Sequence, residues 1–215
     1  KYYLLKKNVK INLNNFNLMG DSVKVFFKDD LYDIVRIDAS GNVKLNSNQQ
    51  NINTISENLS LNVDTEEILI SGIKSKLKSK NIKMLSDGFI KLNNKSGNFH
   101  LNGANSKLQN DEISIASTDI IGTFIKNNEI NEIKYIETNN KDIGLILTND
   151  TELYSKKAIY KKETSIIELI EDVKIIKGSE TILGDYGELD TLNSSYKIRS
   201  NSESKVKIVI TNQNE

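Results

Sequence analysis

The chain contains no cysteine, no proline and no tryptophan, and one histidine, His100, in 215 residues. Without cysteine there are no disulfides and no thiolate metal sites, and both reducing and oxidising compartments stay open. A lone imidazole leaves too few ligands for a transition-metal centre. Without proline, every chain reversal has to come from glycine, asparagine, aspartate or serine. No apolar run approaches the ~20 residues of a membrane-spanning helix, and the opening KYYLLKKNVK is too short for a secretion signal. Positive and negative side chains balance at 29 each, which gives no bulk attraction to nucleic acid or to an anionic membrane. One local exception, the lysines between Lys74 and Lys83, reads as a solvated strand face whose cations guard a sheet edge.

Catalytic patterns are missing too. His100 sits in GNFHLNG with no nucleophile or orienting carboxylate that the sequence can place beside it. There is no Gly-x-Ser-x-Gly elbow, no calcium-loop spacing and no phosphate-binding glycine loop. The pairs Tyr2–Tyr3 and Phe26–Phe27 are too sparse for a nucleic-acid-stacking sheet. The reading is therefore non-enzymatic, with no catalytic residue, no cofactor and no metal assigned.

What the chain does have is alternation. Val35, Ile37, Ala39, Gly41, Val43 and Leu45 fall on one face of an extended segment, opposite Arg36, Asp38, Ser40, Asn42 and Lys44. The same period of two recurs in Leu59-x-Leu61-x-Val63, Ile68-x-Ile70, Ile113-x-Ile115, Ile143-x-Leu145-x-Leu147, Ile167-x-Leu169 and Val206-x-Ile208-x-Ile210. Short polar breaks divide these segments, among them Ser40–Gly41, Asp87–Gly88, Ser96–Gly97, Asn139–Asn140 and Gly178–Ser179. Helical periodicity is nearly absent. The pattern predicts an all-β chain of antiparallel strands in a sandwich, barrel or jelly roll.

The grammar also repeats. A strand and short turn lead to a "GNV" strand (Gly41–Val43) or an "EDV" strand (Glu171–Val173), and then to a strand pair with Asp-Thr near its bend, at Asp64–Thr65 and Asp190–Thr191. The units span about residues 21–72 and 111–200. Units of this kind pack into one continuous core, so residues 1–215 are read as a single domain.

These residues carry a resemblance. Ile133, Tyr135 and Glu137, then Ala158 and Tyr160, then Ile167, Leu169, Asp172–Val173, Ile175, Gly178, Ile182, Gly184–Asp185, Leu189–Asp190 and Ser194–Tyr196 follow the order seen in OstA-like periplasmic lipopolysaccharide-transport proteins, the group of LptA, LptC and the N-terminal part of LptD. The first unit is similar to it again through Gly41–Asn42–Val43. One departure is Glu171, where the family pattern has glycine.

The resemblance implies an open, V-shaped antiparallel β-jelly roll in the periplasm, its targeting signal already removed. It further implies that lipopolysaccharide acyl chains lie in an apolar groove. LptC-like and LptD-like proteins, or further copies of the chain, would join by edge-strand pairing, end to end. The expected groove residues are Val35, Ile37, Val43, Leu45, Leu59, Leu61, Ile68, Ile70, Leu145, Leu147, Ile167, Leu169, Val173, Ile175, Leu189 and Ile198. Two strands, Val23–Phe27 and Lys205–Ile210, are the expected terminal edges. Alternation by itself fits an ordinary closed core equally well, as in a structural or adhesive β-repeat with no lipid ligand.

Overall fold

Proline-free, alternating segments can keep pairing without interruption, and the strands are correspondingly long. The computed structural model describes residues 1–13, 16–29, 33–49, 51–126, 130–148, 150–200 and 205–210. Its strands are β1 (Tyr2–Asn12), β2 (Asn17–Phe27), β3 (Ile34–Ser47), β4 (Ile52–Asn62), β5 (Glu67–Ser71), β6 (Ser75–Ser79), β7 (Ile82–Ser86), β8 (Phe89–Asn93), β9 (Asn98–Gln109), β10 (Ser114–Lys126), β11 (Asn131–Leu147), β12 (Thr151–Lys161), β13 (Ile166–Lys177), β14 (Glu180–Asp190), β15 (Ser195–Arg199) and β16 (Lys207–Ile210). All neighbours are antiparallel and most are consecutive, so the sheet is largely a meander.

Midway along the strands, nearly every pairing slips. The register shifts between Lys6 and Val9, between Ser40 and Val43, between Ser117 and Asp119, between Asn139 and Gly144, and between Ile170 and Val173. Together these slips form one crease across the sheet. On either side of it the partners differ: the first half of β4 pairs with β6 and the second half with β5. Likewise β9 pairs with β8 before the crease and with β7 after it. The crease divides one sheet into two leaves, the first running through β5 and β8, the second through β6 and β7.

Backbone chemistry explains why the chain bends there. Lys7–Asn8, Gly41–Asn42 and Glu171–Asp172 are each two successive residues with positive φ, at 71° and 52°, 74° and 49°, and 63° and 53°. Each pair is followed by a buried valine, Val9, Val43 or Val173. Left-handed residues inserted in a strand bend it and sharpen its twist, and Asn and Asp tolerate that conformation best after glycine. Inward-facing hydroxyls and one amide then take up backbone carbonyls around the crease. Ser75 donates to Gly72 O at 2.8 Å, Ser86 to Asn102 O at 2.7 Å, Ser117 to Asp119 O at 2.8 Å and Ser155 to Lys157 O at 2.9 Å. The Asn140 amide spans the crease from Thr118 N–H to Lys156 O.

Folding the sheet along this line turns its apolar rows toward each other. One buried cluster runs from Val9 to Leu189 and draws on both leaves: Ile37, Ile70, Ile90, Leu101, Ile120 and Ile167 from the first, Leu18, Val43, Leu77, Met84, Ile115 and Ile175 from the second. Phe99 and Phe124 stack within it, centroids 6.1 Å apart.

Four expectations need correction. Ser40–Gly41 and Asn139–Asn140 do not separate strands; they lie inside β3 and β11 at the crease. Leu145 and Leu147 point outward, because Ile146 takes the inner row between Ile115 and Leu153. Val23–Phe27 is no edge, since β2 lies between β1 and β3 and β1 holds the outer position. Nor does the Lys74–Lys83 segment guard an edge, because β6 and β7 are interior strands of the second leaf. The other expected edge, at Lys205–Ile210, contains β16, which flanks β14.

The crease geometry makes opposite demands at equivalent sites. Gly41→Val should destabilise the fold by about 1–3 kcal/mol in urea unfolding, because a β-branched residue would be forced into the left-handed region. Glu171→Gly relieves the same strain and should be neutral or stabilising by up to about 1 kcal/mol. Leu101→Ala, deep in the core, should cost about 2–5 kcal/mol.

Candidate functional site

Away from the crease, the free margins of the two leaves meet. The Asn131 amide at the start of β11 donates to Ser79 Oγ at 2.9 Å, and Asn131 N–H donates to Asn81 Oδ1 at 2.9 Å. Farther along the seam, Lys177 Nζ at the end of β13 donates to Ser194 O at 3.0 Å and lies 3.3 Å from Asp150. The Tyr196 hydroxyl donates to Glu180 at 2.7 Å. Apart from Lys177–Asp150, which lies within the second leaf, each contact joins a residue of the first leaf to one of the second. They are polar because strand ends and turns carry the side chains that water and backbone caps require.

Between the Asn131 and Lys177 contacts the margins part, leaving a cleft of about 400 Å³. Its walls are formed by 110–113, by Thr148, Asp150 and Thr151, and by the turn at 189–194, and its apolar floor is Ile113, Ile133, Tyr160 and Leu189. Ile133 and Leu189 also belong to the buried cluster, so the interleaf core forms the floor of the cleft. Leu192 stands over it, 79% exposed.

The rim is acidic, with Asp111, Glu112, Glu132, Asp150 and Asp190 against Lys162, which pairs with Glu132. Burial, helped by Glu112, raises the Tyr160 phenol above its usual value and keeps it neutral. Asp190 is held low by the Asn193 side chain and by the N–H groups of Asn193 and Leu192. Asp150 is held low by the Thr151 hydroxyl and then by Lys177. Such a site offers apolar contact below and negative charge above. His100 lies elsewhere, on the outer face of the first leaf, its Nε2 2.7 Å from Asp119. No group of three or more His, Cys, Asp or Glu able to hold a metal occurs among the described residues.

The structure places the expected groove residues unevenly. Ile37, Val43, Leu45, Leu59, Leu61, Ile68, Ile70, Ile167, Leu169, Val173, Ile175 and Leu189 all face inward. They are packed against one another, however, and Ile37, Val43, Ile70, Ile167, Leu169 and Ile175 have no exposed surface. Val35 and Ile198 are half-buried at the sides, and Leu145 and Leu147 face out. Of the set, only Leu189 reaches the cleft.

Sequence reasoning did not single out Ile113, Ile133 and Tyr160 as its floor. Each sits in a good alternating pattern, but which turns converge depends on how the leaves close. Inward apolar side chains are also uncovered at both ends of the sheet. Tyr3 and Leu5 on β1 are 55% and 41% exposed, and Ile208 and Ile210 on β16 are 61% and 65% exposed.

No family model matches this chain, and no curated protein matches it either. Among solved structures it is similar to LptH from Pseudomonas aeruginosa, described as the LptA-homologous periplasmic component of the conserved lipopolysaccharide transport device. The likeness has a TM-score of 0.50 at 17% identity and covers 61% of this chain and 95% of that one. The two share a fold. Nearly all of LptH is matched, so this chain carries strands beyond those of its neighbour.

Asp150 reports on the Lys177 contact. Its depressed folded value means that the stability it contributes is present above the ordinary value of 3.8 and lost as pH falls through the folded one. In a carboxyl NMR titration Asp150 should titrate below 3.8; Lys177→Met should raise its midpoint but leave it below 3.8, because the Thr151 hydrogen bond remains.

Proposed function

We propose that this protein shelters the acyl chains of lipopolysaccharide between its two leaves and forms part of a bridge that carries the lipid across the periplasm. The observation that carries this reading is the apolar cleft at the seam, floored by residues of the interleaf core and set in a fold shared with LptH. On this reading the leaves are the walls of an open jelly roll and the seam is its mouth. A tail entering the cleft would extend along the inner rows as the leaves part, gaining ~0.8 kcal/mol for each methylene removed from water. Contacts of this kind have no preferred direction, so a tail can slide. The acidic rim offers nothing to a phosphate, so recognition falls to the tails.

The uncovered inner residues at the ends fit a chain of like domains. β1 on one side, and β15 and β16 on the other, have an unpaired edge among the described residues. A neighbouring LptC-like or LptD-like domain, or a second copy, would add its strand there and cover Tyr3, Leu5, Ile208 and Ile210. The lysines flanking both edges, such as Lys6 and Lys207, are the usual guard against indiscriminate pairing.

A second reading, a structural β-repeat with no lipid ligand, draws on the fully packed middle of the interleaf core. A photocrosslinking residue at Ile113 or Tyr160 separates the two. Under the transport reading it captures lipopolysaccharide, with or without the lipid's phosphates, whereas the same probe at Thr123, on the outer face of the first leaf, does not. Equal labelling at all three positions sinks the reading. Joining Lys177→Cys to Ser194→Cys with a short bis-maleimide should abolish capture at Ile113, since the linker holds the seam shut.

A further inference from the structure

The outer faces of the two leaves differ in charge, although the chain as a whole is neutral. On the first leaf, cations meet acids: Arg36 with Asp38, Lys91 with Glu67, Lys157 with Glu137 and Lys161 with Glu168. Across β3, β4, β6, β7 and β9 of the second leaf they do not. Pairing across β3, β4, β6, β7 and β9 sets Lys44, Ile55, Lys76, Leu85 and Lys107 side by side, so cations and apolar side chains alternate in one row. In the next row Lys78 stands directly opposite Lys83. All five lysines are exposed, and none has an ion-pair partner among the described residues.

Like charges placed directly opposite on a sheet destabilise it, so this face holds a repulsion that an external anion would relieve. Carboxylates at the crease beside these strands are already engaged: Glu57 accepts from Ile73 N–H, and Asp87 from Lys74 N–H and Asn105, while Asp111 and Glu112 beyond β9 lie on the rim of the seam cleft. A shallow groove of about 400 Å³ crosses the patch, with Ile55, 52% exposed, and Leu85 lying between Lys76, Lys78, Lys83 and Lys107.

We propose that this face docks onto a membrane surface bearing anionic phospholipid head groups. Three features favour a bilayer over an acidic protein. The cations are all lysine, which is depleted in protein–protein interfaces, whereas arginine is enriched there. The chain's arginines, Arg36 and Arg199, stand on the first leaf. Lysine heads can reach phosphates while their stems and the intervening Ile55 and Leu85 rest in the acyl boundary, as in other basic amphipathic surfaces. Five adjacent strands at ~4.8 Å spacing also give a patch ~20 Å across, wide enough for several lipid head groups at once. The inference concerns the face opposite the interleaf space and does not depend on what the cleft holds.

Vesicle flotation of the intact chain tests it. The protein should float with phosphatidylcholine vesicles containing roughly 30% phosphatidylglycerol, stay behind with pure phosphatidylcholine, and be released between ~0.05 and ~0.5 M salt. Reversing three charges in K76E/K78E/K83E should lower partitioning by at least ~100-fold with the circular dichroism unchanged. K76Q/K78Q/K83Q serves if the reversed variant misfolds, and Ile55→Ser should cost several-fold at every salt concentration. Equal binding to neutral vesicles, or no loss in the lysine variants, overturns the proposal. Retention on polyglutamate resin that anionic vesicles fail to displace also overturns it, in favour of an acidic protein partner.

Discussion

The fold depends on interrupting the hydrogen-bond ladder in the middle of its strands. A flat meander of this length would leave an apolar face of many strands open to water. Pairs of left-handed residues stop the ladder, the strand bends, and the same apolar face closes on itself. Interrupting a ladder strands backbone carbonyls, and the serines that face inward at the crease take them up. That explains why so many small hydroxyls, among them Ser75, Ser86 and Ser106, are buried in a core otherwise made of Ile, Leu and Val. A larger apolar residue at those positions would fill space but leave the carbonyls without donors.

Closure is nearly complete, with Ile52, Ile82, Leu92 and Phe124 buried even beside the margins, and it fails at the cleft. Rows close to the bend have neighbours from both leaves and reach native packing. The margins end in turns, whose backbone needs water or polar side chains, so they meet through individual hydrogen bonds such as Asn131 to Ser79 and Lys177 to Ser194. Contacts of that kind are directional and sparse. They hold two edges together at points and leave a gap between the points, which is where the cleft lies. At the cleft, where a few polar contacts flank an apolar floor, parting the margins sacrifices less packing than separating the rows at the crease would.

The two outer surfaces follow different rules, although both are sheet faces in contact with water. The first leaf sets acids across from bases and neutralises itself. The second carries lysines spaced by Ile55 and Leu85 and leaves their charge uncompensated. Strands that alternate Lys with Leu in one dimension give a continuous basic and apolar patch only when neighbouring strands fall into register. That two-dimensional pattern, rather than any single segment, sets the surface apart.

The period of two, the missing prolines and the lack of helical spacing were enough to establish an all-β antiparallel chain, because side-chain alternation is a local property of extended backbone. The inward row of β3 and β13 was legible for the same reason, as was the likeness of Gly41–Asn42–Val43 to Glu171–Asp172–Val173; Lys7–Asn8–Val9 is a third instance, visible only once its dihedral angles are known. What the sequence could not distinguish was a turn from a crease, since Ser40–Gly41 and Ser96–Gly97 have similar composition and only the first stays inside a strand. It could not choose the inner row of β11, where Ile143, Leu145 and Leu147 compete with Ile146, because cross-strand partners make that choice. The closed middle, the cleft at the seam and the lysine face of the second leaf were decided by tertiary structure alone: each depends on residues distant in the chain meeting across a fold line, and alternation carries no information about where a sheet bends or which margins then touch.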